Sequence, residues 1–348
     1  MNNIIFTKEI NKNYPELNII KIKKLKSAGM MNNIFIAENR FNKYIIKVYK
    51  KHNLKKIISE HKLLALIGAS VPESISYINN TNDESYTFSN ELKNYFGICE
   101  YIEGKSLDPS QKISLVQISG IAGALQKFQV LLWDIKNINK DIIHRDLDEE
   151  FRSNVMDLKK VVKILKSKRK LNSKEEVIQE VLLKKLKQIS KDDINNIKLL
   201  GQSFVGIIHG DFAPSNIIFN KNGIKRILDW ENACIYNYVW EIFRSMCYCS
   251  NESPFGIICS ALNERKMSIF LKSYFNSGNI LKKRDVDALK LMPKYYYFLD
   301  PYIITSYCLQ GNKMAGDLIS TNIDDHFWLE NRREKFINLV NKHAKGKR

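Results

Sequence analysis

The chain has 348 residues, 44% of them hydrophobic, and a formal net charge of +18. That length suits two domains or one large domain of two lobes, with enough apolar material for a core. No apolar run reaches the length of a membrane span, and Met1-Asn2-Asn3-Ile4-Ile5-Phe6 lacks the parts of a secretory signal, so a cytoplasmic protein with no membrane partner is expected.

Cys99, Cys234, Cys247, Cys249, Cys259 and Cys308 are scattered, with no second close pair or nearby His to complete a zinc set. Reduced, mostly buried thiols are expected. The positive charge is diffuse. The chain has no compact basic block interleaved with aromatics, which argues against a nucleic-acid partner, and a positive surface also suits a phosphate-bearing ligand.

In chain order, Leu25-Lys26-Ser27-Ala28-Gly29-Met30-Met31-Asn32-Asn33 precedes a strand. Ile34–Ala37 and Tyr44–Tyr49 read as a hairpin, and Leu54–Ile67 has helical periodicity. Gly97–Ile102 is a short strand ended by Glu103-Gly104. Ser114–Leu132 reads as one helix and Asp157–Lys198 as two. Ser173-Lys174-Glu175-Glu176 is a capping box, with Val177, Val181 and Leu182 on one face of the helix it opens. A β unit spans Phe204 to Trp230, followed by helix to the C-terminus.

Within that unit, the apolar strand Phe204–Ile208 delivers His209-Gly210-Asp211, and a loop leads to Asn216. Ile217–Phe219 and Ile224–Leu228 flank Asn222-Gly223, a strong hairpin signal. The start of one hairpin strand lies beside the end of the other, so Asn216 and Asp229 are expected together at the open end. An amide oxygen beside a carboxylate suits Mg²⁺. Asp211 is placed to accept the proton of an attacking hydroxyl.

His209-Gly210-Asp211-Phe212-Ala213-Pro214-Ser215-Asn216, followed by Leu228-Asp229-Trp230-Glu231, resembles the catalytic and metal-binding motifs of the aminoglycoside phosphotransferase and choline kinase-like superfamily. The resemblance implies an α+β, bilobal protein-kinase-like fold. Residues 1–103 would form a small β-rich lobe for nucleotide binding, and 104–348 a larger, mainly helical lobe for catalysis and substrate. It implies ATP or GTP with Mg²⁺, and a small-molecule hydroxyl acceptor. Asp211 would be the catalytic base, Asn216 and Asp229 the metal ligands, and His209 a brace for the loop. Glu231 stands where protein kinases have glycine, and is either a candidate to support the metal site or face the substrate, or a plain surface residue.

The first lobe offers independent tests. Lys47 sits mid-strand between Ile46 and Val48, and Glu60 shares a helix face with Ile57, Leu64 and Ile67. An acid on an apolar stripe requires a partner, and Lys47 is the natural one. Lys43, Lys50 and Lys51 flank the strand instead. By the resemblance, Ser27, Gly29 and Asn32 are candidates for phosphate contacts, and Glu100 and Ile102 for backbone contacts to adenine.

His144-Arg145-Asp146-Leu147 spells a protein-kinase catalytic loop, but Phe151 and Ile164 occupy the positions where Asn and Asp should follow. A loop or helix start is expected there. Glu241 and Arg244, three apart, are spaced so that they could pair on a helix, in a structural rather than a catalytic role. Tyr295–Phe298 with Asp300 form either helix core or a wall of the substrate pocket, where Tyr296 and Asp300 are the candidates. Asp324, Asp325 and Glu330 either bind a cationic substrate or are solvated. Two rival functions are a non-catalytic kinase-like structural protein of the spore-coat kind and a nucleic-acid-binding protein. Neither the acceptor nor the oligomeric state is legible.

Overall fold

The computed structural model describes residues 3–25, 32–50, 54–107, 112–133, 135, 140–220, 223–250, 262–278, 280–319, 323 and 329–344. The chain forms two compact units. The first comprises Met1–Lys105, Lys136–Ile143 and Ile218–Ala233, and the second Ser106–Ile135, His144–Ile217 and Cys234–Arg348. This division differs from a single boundary at 103/104 in giving 136–143 and 218–233 to the first unit.

The first unit begins with α1 (Asn3–Asn13). It holds a five-stranded antiparallel sheet of β1 (Lys21–Lys24), β2 (Asn32–Glu38), β3 (Lys43–Tyr49), β4 (Thr87–Ser89) and β5 (Asn94–Glu100), in the order β1-β2-β3-β5-β4. Side chains alternate between sheet faces. Tyr44, Ile46 and Val48 of β3 therefore join Phe6, Ile10, Tyr14, Phe35 and Phe96 in one core. Burying each such side chain contributes about 1.5–3 kcal/mol. Lys47 and Tyr49 have the opposite parity, and Gly97 of β5 lies directly across from Lys47. The helix α2 (Leu54–Ile67) buries Ile57, Leu64 and Ile67 together with Glu60. A ribbon of β6 (Lys105–Ser106), β8 (Ile217–Asn220) and β9 (Gly223–Ile227) has β8 at its centre. The expected hairpin is thus present, although Lys221 and Asn222 of its turn lie outside the described residues.

The second unit is mainly helical. Its first helix, α3 (Leu115–Leu132), opens on a capping box between Ser114 and Gln117. Contrary to expectation, α3 is long and apolar enough to cross a bilayer by length and composition. Here it is a core helix, with Ile118, Ile121, Leu125 and Phe128 buried. Three helices, not two, follow: α4 (Leu147–Ser167), α5 (Ser173–Lys187) and α6 (Lys191–Gly201). The extra boundary comes from Ser190, whose hydroxyl accepts from the Asp193 amide as an N-cap. The expected capping box also shifts by one residue. Asn172 is the cap and Glu175 its partner, so Ile178 joins Val181 and Leu182 in the core while Val177 is exposed.

The strand β7 (Val205–Ile208) pairs antiparallel with β10 (Cys234–Asn237), not with the hairpin beside it in sequence. Val205 is exposed on it, whereas Ile207 and Ile208 are buried. Next come α7 (Tyr238–Ser250), α8 (Glu264–Asn276), α9 (Lys283–Leu299), α10 (Tyr302–Gln310), α11 (Lys313–Asp317) and α12 (Arg333–Ala344). Within α9, Tyr295, Tyr296, Tyr297 and Phe298 are all buried. Cys99, Cys234, Cys247 and Cys249 are buried free thiols and Cys308 is half-buried, while Cys259 lies outside the described residues.

Candidate active site

In the first unit, strand parity and the α2 stripe bring Lys47 and Glu60 together. The Lys47 ammonium donates to Glu60 Oε1 at 3.0 Å and to Asp229 Oδ1 at 3.1 Å, and lies 3.5 Å from Glu231 Oε2. Lys47, Glu60 and Glu231 are buried, while 43% of the Asp229 side chain remains exposed. Burial alone would lower the Lys47 pKa, but Glu60, Tyr49, Asp229 and Glu231 together hold it well above the ordinary value. One ammonium therefore faces three carboxylates, an excess of two negative charges that a divalent cation would balance.

Asp229 adopts a left-handed conformation, φ 58° and ψ 66°, uncommon for a residue with a side chain. The next residue explains how it is held. Trp230 is fully buried, and its indole N–H donates to the Ile227 carbonyl at 2.9 Å. The anchor fixes the backbone and leaves the Asp229 carboxylate displayed. Asn32, at the start of β2, is buried and donates its amide to Glu231, while its amide oxygen has no hydrogen-bond partner among the described residues. A buried acceptor without a donor is costly, and a ligand group would relieve it.

In the second unit, β7 delivers His209, which is fully buried. The Asp211 amide donates to His209 Nδ1 at 3.2 Å, so the ring bears no proton on that nitrogen and braces the turn. Gly210 has φ 80°, a conformation that favours glycine, and its N–H donates to Glu241 Oε1 at 2.8 Å. Burial pushes the Glu241 carboxyl up to about 7, against the lowering effect of the Gly210 N–H and the Gln129 amide. Asn216 Nδ2 donates to both the carbonyl and Oδ2 of Asp211 at 3.0 Å. Both partners are acceptors, so the amide nitrogen must face them, leaving the amide oxygen available to a cation.

The expected Glu241–Arg244 pair is not formed. Glu241 is committed to Gly210, and Arg244 reaches Asp300 and lies 3.5 Å from Asp211 Oδ1. Burial would lower the Arg244 pKa, but Asp300 leads the groups that raise it well above its ordinary value. Tyr296 is fully buried and donates to Asp300 Oδ2 at 3.2 Å, beside the Arg244 guanidinium that the same carboxylate holds. Contacts between Arg244, Asp211 and Asp300, 33 and 56 residues apart, leave no local signal in the sequence.

Ser27, Gly29, Lys51, Asp324 and Asp325 lie outside the described residues. Lys43 and Lys50 are exposed. Glu100 ends β5, with Ile102 just beyond it. Glu330 pairs with Lys185 at 3.0 Å. Asp146 is the N-cap of α4, and Arg145 holds Glu150 while stacking over Tyr236. That motif is a helix start. Among the described residues no cluster of three or more His, Cys, Asp or Glu could hold a metal unaided.

Residues 24–257 match the model of a phosphotransferase enzyme family, APH. The chain belongs to that family. It is a small-molecule kinase, with the protein-kinase-like fold that the motifs implied. No curated protein matches its sequence significantly. Among solved structures, it is similar to a spectinomycin phosphotransferase in complex with ADP and spectinomycin (12% identity, 98% of each chain covered, TM-score 0.63). It is also similar to the microcompartment-associated aminopropanol kinase (11% identity, 96% of this chain and 98% of that one, TM-score 0.62). A third similar structure is the amicoumacin kinase hAmiN in complex with AMP-PNP, Ca²⁺ and Ami (14% identity, 97% of this chain and 94% of that one, TM-score 0.57).

Proposed function

We propose that this phosphotransferase moves the terminal phosphoryl group of ATP, carried as a magnesium complex, onto a hydroxyl of a small molecule. The observation that carries the reading is the buried Lys47, held by Glu60 and touching Asp229. A kinase needs a cation on the phosphates, a carboxylate to hold it and an acid for the metal. An unpaired structural lysine would instead be expected at the surface.

Asp211 is the proposed base. Its Oδ2 and carbonyl are steadied by Asn216, which fixes the carboxylate where an acceptor hydroxyl can donate to it. His209 and Glu241 keep the loop in register through the Asp211 and Gly210 amides. Asn216, through its free amide oxygen, and Asp229 are the proposed Mg²⁺ ligands, and Glu231 and Asn32 border Lys47. Magnesium would neutralise phosphate charge during transfer. Few protein ligands are needed for it, because Mg²⁺ keeps waters and shares phosphate oxygens.

Adenine recognition is proposed at Glu100 and Ile102. The Tyr101 N–H is used by the Lys43 carbonyl at 3.0 Å, and the Ile98 carbonyl accepts from Ile78 on the other edge. Backbone groups alternate along a strand, so the Glu100 carbonyl turns away from β3. That edge suits a planar base that reads one carbonyl and one N–H.

The acceptor is proposed to be a hydroxyl-bearing amine or sugar-like compound, the chemistry named in the similar structures: spectinomycin and aminopropanol. The test is an ATP-consumption screen over aminoglycosides, amino alcohols, homoserine and hexoses, with Asp211→Asn as the control. Acceptor-dependent ADP release that Asp211→Asn abolishes supports the reading. Turnover that survives the substitution contradicts the assignment of the base.

A further inference from the structure

A chain of hydrogen bonds runs through the first unit to the carboxylate that holds Lys47. The Tyr77 hydroxyl donates to Glu60 Oε1 at 3.0 Å, the oxygen that also accepts from Lys47. Tyr49 donates its hydroxyl to Tyr77 at 3.1 Å, and its oxygen lies 2.9 Å from His61 Nε2. His61 Nδ1 is 2.8 Å from the Ser85 hydroxyl.

The hydroxyl hydrogens of both tyrosines point toward the carboxylate. An ionised carboxylate only accepts, so the Tyr77 hydrogen is spent on Glu60. The Tyr49 hydrogen is spent on the same side, which leaves the Tyr49 oxygen as acceptor and His61 Nε2–H as donor. Burial, helped by Lys47, lowers the His61 pKa to about 3, so the ring is neutral. Its Nδ1 must then accept from Ser85. The sequence thus runs from Ser85 through His61 to Tyr49, whose hydroxyl reaches Glu60 both through Tyr77 and by a hydrogen bond of its own.

Packing around the chain is equally constrained. The His61 and Tyr77 rings stack at 3.9 Å with 16° between planes. Gly97, opposite Lys47 on β5, provides their space: a Cβ there would lie 2.9 Å from atoms of both rings.

We propose that Tyr77, with Tyr49 and His61 behind it, are positioning residues that hold Glu60 on Lys47, so that the lysine is set for nucleotide before nucleotide arrives. This rests on the kinase reading given above. Neither tyrosine touches substrate in it; both act through Glu60.

The test compares Tyr77→Phe, His61→Phe and His61→Gln in the full chain. Phenylalanine at 61 keeps a stacked ring but loses the donor, whereas glutamine keeps a donor near Nε2 and loses the stack. The readouts are Mg·ATP affinity by calorimetry, separate KM values for ATP and acceptor, and the ¹⁵N shifts of the His61 ring. A hydrogen bond to a charged acceptor is strong enough for a change of about tenfold. Tyr77→Phe and His61→Phe are expected to weaken Mg·ATP by about that factor, leaving the acceptor KM in place. His61→Gln should recover most of the loss, and wild-type ¹⁵N shifts should place the proton on Nε2. Unchanged ATP affinity in both Phe variants, or a proton on Nδ1, overturns the relay. So does equal weakening of ATP and acceptor, which marks general loosening of the fold. If Lys47→Met also leaves Mg·ATP binding intact, the kinase reading fails first, and the two failures are thereby distinguished.

Discussion

Glu60→Gln is the most informative single substitution at the lysine. Glutamine has nearly the same shape and can keep an oxygen facing Lys47 and Tyr77, so the change removes charge rather than volume. The pair is close, 3.0 Å, with side chains only 7% and 1% exposed, so solvent screens it little. A buried hydrogen bond between charged groups contributes about 1.5–3 kcal/mol, and 1.4 kcal/mol is about a factor of ten. Asp229 and Glu231 remain on Lys47 and would pull it toward themselves. We expect kcat/KM for ATP to fall by about 10- to 100-fold while the acceptor KM holds, with a urea-unfolding loss of about 2 kcal/mol. Steady-state kinetics with each substrate varied in turn, alongside urea titration, makes the measurement. Wild-type values for both quantities would refute the reasoning, because Asp229 and Glu231 alone would then suffice to hold the lysine.

Other consequences follow from the second unit. Glu241 has a carboxyl raised from 4.5 to about 7 by burial. Its folded pKa lies above its unfolded one, so its contribution to stability is full below the unfolded value and is lost as pH rises through the folded value. The gap corresponds to about 3 kcal/mol. Urea midpoints should fall between about pH 5 and about pH 8, and Glu241→Gln should flatten that slope; an unchanged slope would count against Glu241 as its source. Arg244→Met strands Asp300, whose side chain is 14% exposed, and is expected to cost about 3–5 kcal/mol. Adding Asp300→Asn should return part of that loss, and strict additivity in the double-mutant cycle would dissolve the pair.

Much of this was legible in the chain because the decisive signals are short-range. Asn216 and Asp229 sit at fixed steps from Asp211 in the sequence, and the apolar runs 217–219 and 224–228 mark the two hairpin strands. Lys47 and Glu60 are thirteen residues apart, yet each is marked by its own element: a lysine inside an apolar strand and an acid on an apolar helical stripe. Either feature is unfavourable alone, so each advertises a partner. Asn172 displaced Ser173 as a cap because both residues can cap, and the choice depends on which one leaves the helix with extended backbone. Arg244 offered Glu241 a plausible helical partner, but the Gly210 amide, delivered by β7 from another part of the fold, competes for that carboxylate. Tyr77 and Tyr49 carry no sequence signal of their role, because a tyrosine near an apolar strand reads as core. Only the tertiary meeting of β3, α2 and the loop before β4 reveals what their hydroxyls reach.

The central claim is phosphoryl transfer from Mg·ATP to a hydroxyl with Asp211 as base. It is tested most directly by acceptor-dependent ADP formation across the compound panel, measured for wild type and Asp211→Asn, with magnesium and with a chelator in its place. The account predicts turnover with at least one acceptor in wild type with magnesium, its loss on chelation, and its loss in Asp211→Asn while Mg·ATP binding by calorimetry persists. Turnover retained in Asp211→Asn, or a wild-type protein that does not bind Mg·ATP, would contradict it.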